Sequence, residues 1–129
     1  MYSKLVEVLT WGPMKLHPIR ALIERAVEES GISVGVLWAS VKGATPALLI
    51  LERGLEERLL EALKMLIPFT GWRHGNAYAH LVSSTISMCL AIPVENARLV
   101  LDKDYEIYLL ETRPVYNHRR TIVISIHGE

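Results

Sequence analysis

The first ten residues carry a strand pattern. "KLVEVLT" (residues 4–10) alternates apolar and polar positions, as a half-buried strand does. The period then lengthens. In "GPMKLHPIRALIERAVEESG" (12–31), Ile19, Leu22, Ile23, Ala26 and Val27 form one helical stripe. Pro18 fits the first helical position and Gly31 the left-handed residue just past the end. "GVLWASV" (35–41) and "ALLILE" (47–52) are short apolar runs separated by "KGATP", which predicts two neighbouring strands around a turn. "LEERLLEALKMLI" (55–67) is amphipathic at helical spacing, with Leu59, Leu60, Leu63, Leu66 and Ile67 facing inward and Pro68 ending it. "NAYAHLVSSTIS" (76–87) reads as a short third helix with Asn76 as its cap. Four strands follow, "MCLAIPV", "ARLVL", "EIYLLE" and "TIVISIH".

This order predicts one α+β domain over residues 1–129, with a sheet or sandwich and helices on one side or at one end. It lacks the regular strand–helix alternation of a doubly wound fold. No glycine-rich phosphate loop and no nucleophile elbow is present.

Composition narrows the function classes. The formal net charge is zero and the only dense basic spot is His118-Arg119-Arg120, so there is no electrostatic case for a nucleic-acid groove. No apolar run approaches the roughly 20 residues that span a bilayer, and the start does not read as a signal-peptide core. We expect a cytoplasmic protein. One cysteine, Cys89, excludes an intrachain disulfide; alternating with Met88 and Leu90, it reads as a small buried residue. Glutamine is absent and asparagine scarce, which points to a thermophilic source. The apolar share of 50% is high for so small a domain, and some of that surface is expected in a subunit interface.

The candidate chemistry centres on "WRHGNAYAHL" (72–81), where His74 and His80 bracket a Gly-Asn pair. On one helix a six-residue spacing is about 600° of rotation, so the rings would point apart. A strand would align them, but Gly75-Asn76 argues against an unbroken strand. A loop followed by a helix start lets the chain fold back so that both rings meet. The positive helix end favours a neutral, ligating imidazole at His80. This geometry permits a metal site without demanding one. Glu52 either marks where its strand leaves the core or, facing a cleft, serves as a ligand or general base. Arg119 and Arg120 should face opposite sides of the last strand, as a surface ion pair and a solvated charge or as a fork for phosphate or carboxylate.

From Gly35 onward the sequence resembles the YjbQ-like family, whose members often carry the label secondary thiamine-phosphate synthase. Trp72-Arg73-His74, Ala79-His80-Leu81, Ile92-Pro93-Val94, Ala97-Arg98-Leu99 and Arg119-Arg120 fall in order where the family has corresponding motifs. The resemblance implies a compact α/β sandwich, mostly antiparallel, that forms homotrimers. It implies a divalent metal, zinc or magnesium, held by His74 and His80 near a subunit boundary. It also implies a small phosphorylated substrate, the label's reaction joining a pyrimidine pyrophosphate to a thiazole phosphate. Arg119, Arg120, Asn76 and Thr45 would bind the anion and Glu52 would be catalytic. The chain departs from the pattern at four places. Gly43 stands where the family has a histidine, Leu51 where it has an asparagine before the glutamate, Gly75-Asn76 replaces an acidic loop, and "DKDY" (102–105) replaces a Gly-Thr-Trp-Gln. A third ligand would have to come from Glu52, Asp102, Asp104 or a neighbouring subunit. Without it, the expectation is a non-catalytic trimer that binds a small anion or serves a structural role.

Overall fold

The computed structural model describes all 129 residues. Its elements run β1 (Tyr2–Thr10), β2 (Lys15–Pro18), α1 (Arg20–Ser30), β3 (Gly35–Val41), β4 (Ala47–Glu52), α2 (Glu56–Leu66), α3 (Ala77–Ile86), β5 (Cys89–Glu95), β6 (Arg98–Leu99), β7 (Tyr105–Glu111) and β8 (His118–Gly128). All pairings are antiparallel. They form a five-stranded sheet, β1-β8-β3-β5-β6, and a three-stranded sheet, β2-β7-β4. The fold is the expected α+β arrangement.

The two sheets differ in how they are covered, and the strand sequences show why. β4 and β7 are apolar at successive positions because both of their faces are buried. Leu48, Ile107 and Leu109 enter a core shared with the five-stranded sheet and α1. Ala47, Leu49, Tyr108 and Leu110 enter a second core with α2 and α3. The five-stranded sheet alternates instead. Leu37, Ala39 and Val41 of β3 and Ile122, Ile124 and Ile126 of β8 are buried, whereas Leu5, Leu9 and Trp38 on the opposite face are 61%, 46% and 51% exposed. Fully burying one such aliphatic side chain is worth about 1.5–3 kcal/mol.

α1 ends as its sequence dictates, on Gly31 at φ 70°, a backbone region that suits glycine. Its stripe is also as read, with Ile23, Ala26 and Val27 buried. Pro18, however, is the last residue of β2 and not the first of the helix; its fixed φ is as compatible with an edge strand as with a helix start. β3 and β4 are not neighbours: β3 pairs with β5 and β8, β4 with β7. Leu66 does not face inward. It is 75% exposed, one residue before the chain leaves the helix at Ile67. Cys89 is exposed, because Ile92 and Val94 set the buried parity of β5 and Cys89 has the other. No helix is long and apolar enough to cross a membrane.

Candidate functional site

Three strands send polar side chains into one end of the space between the sheets. Arg120 shares the buried face of β8 with Ile122 and Ile124, and Glu111 shares that of β7 with Ile107 and Leu109. Thr10, the last residue of β1, is fully buried beside them. Glu111 has no solvent exposure, and the Arg120 side chain retains 10%. A buried charge is tolerated only when paired and hydrogen-bonded, and this one is. Arg120 Nε donates to Glu111 Oε1 at 2.8 Å and Nη2 donates to Oε2 at 2.8 Å. The Thr10 hydroxyl donates to Oε1 at 2.7 Å, and the Arg113 amide donates to Oε2 at 3.3 Å. Burial pushes the Glu111 carboxyl pKa upward. The Arg120 and Thr10 hydrogen bonds, the Arg120 charge and the Arg113 amide outweigh it and hold the pKa below the ordinary carboxylate value.

The pair is tied to the rest of the protein by hydroxyls. Arg120 Nη2 also donates to Thr45 Oγ1 at 3.2 Å. The Thr112 hydroxyl donates to the Thr45 carbonyl at 2.6 Å, and the Tyr78 hydroxyl to the Thr112 carbonyl at 3.0 Å. Tyr78 lies on α3, so one chain of hydrogen bonds runs from that helix to the buried ion pair. Ser83, also on α3, donates to the Pro46 carbonyl at 2.6 Å.

The same helix positions the histidines. His74 precedes α3 in the loop and is exposed; His80 closes its first turn and is half-buried. Their ring centroids are 5.6 Å apart with a 43° interplanar angle, so the loop does fold back onto the helix start. Asn76 occupies the N-cap position, but its side chain makes no capping hydrogen bond.

The remaining candidates lie elsewhere. Glu52 is exposed at the far end of β4, roughly 20 Å along the chain from Thr45 at about 3.3 Å per strand residue. Asp104 is beside it, its carbonyl accepting the Arg53 amide at 2.9 Å. Arg119 is on the opposite face of β8 from Arg120, 74% exposed and 3.9 Å from Glu7. The two arginines therefore cannot grip one anion together, and the bidentate edge of Arg120 is occupied by Glu111. Glu111, Thr10, Thr112 and Tyr78 escaped the sequence reading. The signal for Glu111 is its parity with Ile107 and Leu109 at the end of the apolar run Ile107–Leu110.

Two imidazoles fall one or two short of the three or four protein ligands zinc usually takes. No group of three or more His, Cys, Asp or Glu side chains in the chain is arranged to hold a metal, so one subunit does not fit a complete centre.

Residues 4–129 match the family model for UPF0047 protein YjbQ-like. A UPF0047 protein of Archaeoglobus fulgidus is 34% identical over 96 residues, covering 69% of this chain and 74% of that protein. A YbjQ-like protein of unknown function from Sulfolobus solfataricus P2 is similar in structure, with a TM-score of 0.91 and 31% identity over 99% of this chain and 97% of that one. A hypothetical protein from Aeropyrum pernix K1 superposes with a TM-score of 0.91 at 26% identity over the whole of both chains.

Proposed function

The chain belongs to the UPF0047, YjbQ-like family, and on that premise we propose an altered metal-dependent protein acting on a small phosphorylated molecule. In this reading His74 and His80 are two ligands of a divalent-metal centre, and a neighbouring subunit of a homotrimer completes it. The observation that carries the reading is the approach of the two rings to 5.6 Å between centroids, across the loop and helix start. Self-association is supported by the uncovered face of the five-stranded sheet, where the large apolar side chains Leu5, Leu9 and Trp38 remain exposed. Metal analysis of protein purified without chelator tests it, with His80→Ala as control and light scattering for the oligomer. Stoichiometric metal in the wild type, lost in His80→Ala, is expected. Its absence from an intact oligomer would overturn the metal reading, and a monomer would overturn the completion by a neighbour.

A second reading is a non-catalytic member that binds a small anion. What favours it is the lack of a third ligand within the chain. Anion binding without stoichiometric metal would select it.

A further inference from the structure

We propose that the Gly43–Thr45 loop and the outer edge of the Arg120 guanidinium form a binding site for a small oxyanion, the phosphate or carboxylate end of a larger molecule. The choice of phosphate as the first ligand rests on the reading above; the site itself does not involve the histidine pair.

A guanidinium carries five N–H donors. In Arg120, Nε and Nη2 are engaged by Glu111 and Thr45. Nη1, with two N–H groups, has no acceptor anywhere in the chain. No buried side-chain nitrogen or oxygen lacks a partner, so Nη1 is the edge that reaches solvent, although nine-tenths of the side chain is buried. Gly43 stands at that opening. A β-carbon there would lie 3.1 Å from Nη1 and 3.1 Å from the Pro46 ring, and its φ of +118° is one that other residues rarely adopt. Glycine at this position keeps the Nη1 edge uncovered.

The loop supplies further donors. The Lys42 amide is held by the Thr121 carbonyl at 2.9 Å, whereas the amides of Gly43, Ala44 and Thr45 donate to no group in the chain. Gly43 is exposed; Lys42, one residue beyond the buried Val41, has the outward parity of Thr121 and takes no part in the opening. Glu111 lies behind the guanidinium, fully buried, and fixes its orientation. The open edge is therefore held rigid before any ligand arrives, which lowers the ordering cost of binding. The guanidinium edge, several free N–H donors and no carboxylate in residues 42–46 select an oxyanion over a cation or an apolar group.

The test is titration of the whole protein with inorganic phosphate, and separately with acetate, in chloride buffer, following backbone amide shifts by NMR. Saturable shifts at Gly43, Ala44 and Thr45 are expected with phosphate; saturation by acetate alone would assign a carboxylate end. Gly43→Ala should weaken binding about tenfold, the loss of roughly one charge-assisted hydrogen bond. Lys42→Ala, at an exposed position on the other face of the sheet, should bind as the wild type does. His80→Ala should also bind as the wild type does, so metal loss and anion loss are separable. No saturation by either anion up to about 10 mM in the folded wild type would overturn the proposal. So would unchanged affinity in folded Gly43→Ala, or a loss of binding in Lys42→Ala equal to that in Gly43→Ala.

Discussion

The Arg120–Glu111 pair and the His74–His80 pair place titratable groups in opposite ways. The first is buried, and every hydrogen-bonding position of its carboxylate edge is filled by Arg120, Thr10 or the Arg113 amide. The second is largely on the surface, each ring facing the other. Burial of charge demands complete pairing, so the first cluster is committed to structure except along one edge. The exposed pair is under no such constraint. The difference teaches where function has room: both proposed sites use what the scaffold does not need, the imidazoles and Nη1.

Breaking the committed pair should have the largest effect. Glu111→Gln leaves Arg120 charged in a buried position and is expected to cost about 3–5 kcal/mol of stability in urea unfolding. Replacing both partners with apolar residues, Glu111→Leu with Arg120→Met, should cost less than the single change. Acid probes the same contrast. The Glu111 pKa is held below its ordinary 4.5, so the unfolded chain binds more protons as pH falls through that value. Stability is therefore full above about pH 4.5 and declines below it, and Glu111→Gln should flatten that decline in a pH series of unfolding curves. Glu29, held low by hydrogen bonds from Lys4 and Tyr2, is a surface contributor with the same sign.

Smaller effects sharpen the comparison. Thr45→Val removes the acceptor for Arg120 Nη2 and should cost about 1–3 kcal/mol by thermal unfolding. His74→Ala with His80→Ala should change stability by no more than about 1 kcal/mol while abolishing any bound metal, a separation that calorimetry and metal analysis would show together. Arg119→Ala, on the solvent face opposite Arg120, should fall within about 0.5 kcal/mol of the wild type. A larger loss there would mean that the outer face of the sheet is occupied in solution.

The elements were legible where a long period was uninterrupted. α1 and α2 carry clear stripes, and β8 alternates over its whole length. β2 was not, because four residues, "KLHP", give too little period to set against a following helix. β3 and β4 are not paired, and their sequences hide it: both are largely apolar runs, yet burial alternates along β3, which has one open face, while Ala47–Leu51 of β4 are covered on both faces. At the site, the convergence of His74 and His80 followed from reading a loop and a helix start. The opposition of Arg119 and Arg120 followed from strand parity. The partnership of Arg120 with Glu111 did not, because it joins two strands of different sheets, and no local spacing encodes which inward-facing charges meet.

β8 has a consequence for how the chain reaches this structure. The last strand in sequence sits between β1 and β3, pairing with both, and it carries Arg120. Until residues 118–128 are available, β1 has no strand to join, three isoleucines are missing from the larger core, and Glu111 is a carboxylate without its guanidinium. Assembly of the larger sheet therefore waits on contacts of high sequence separation, which slows folding, and a nascent or truncated chain lacking β8 would expose the inner edge of β3 to foreign strands.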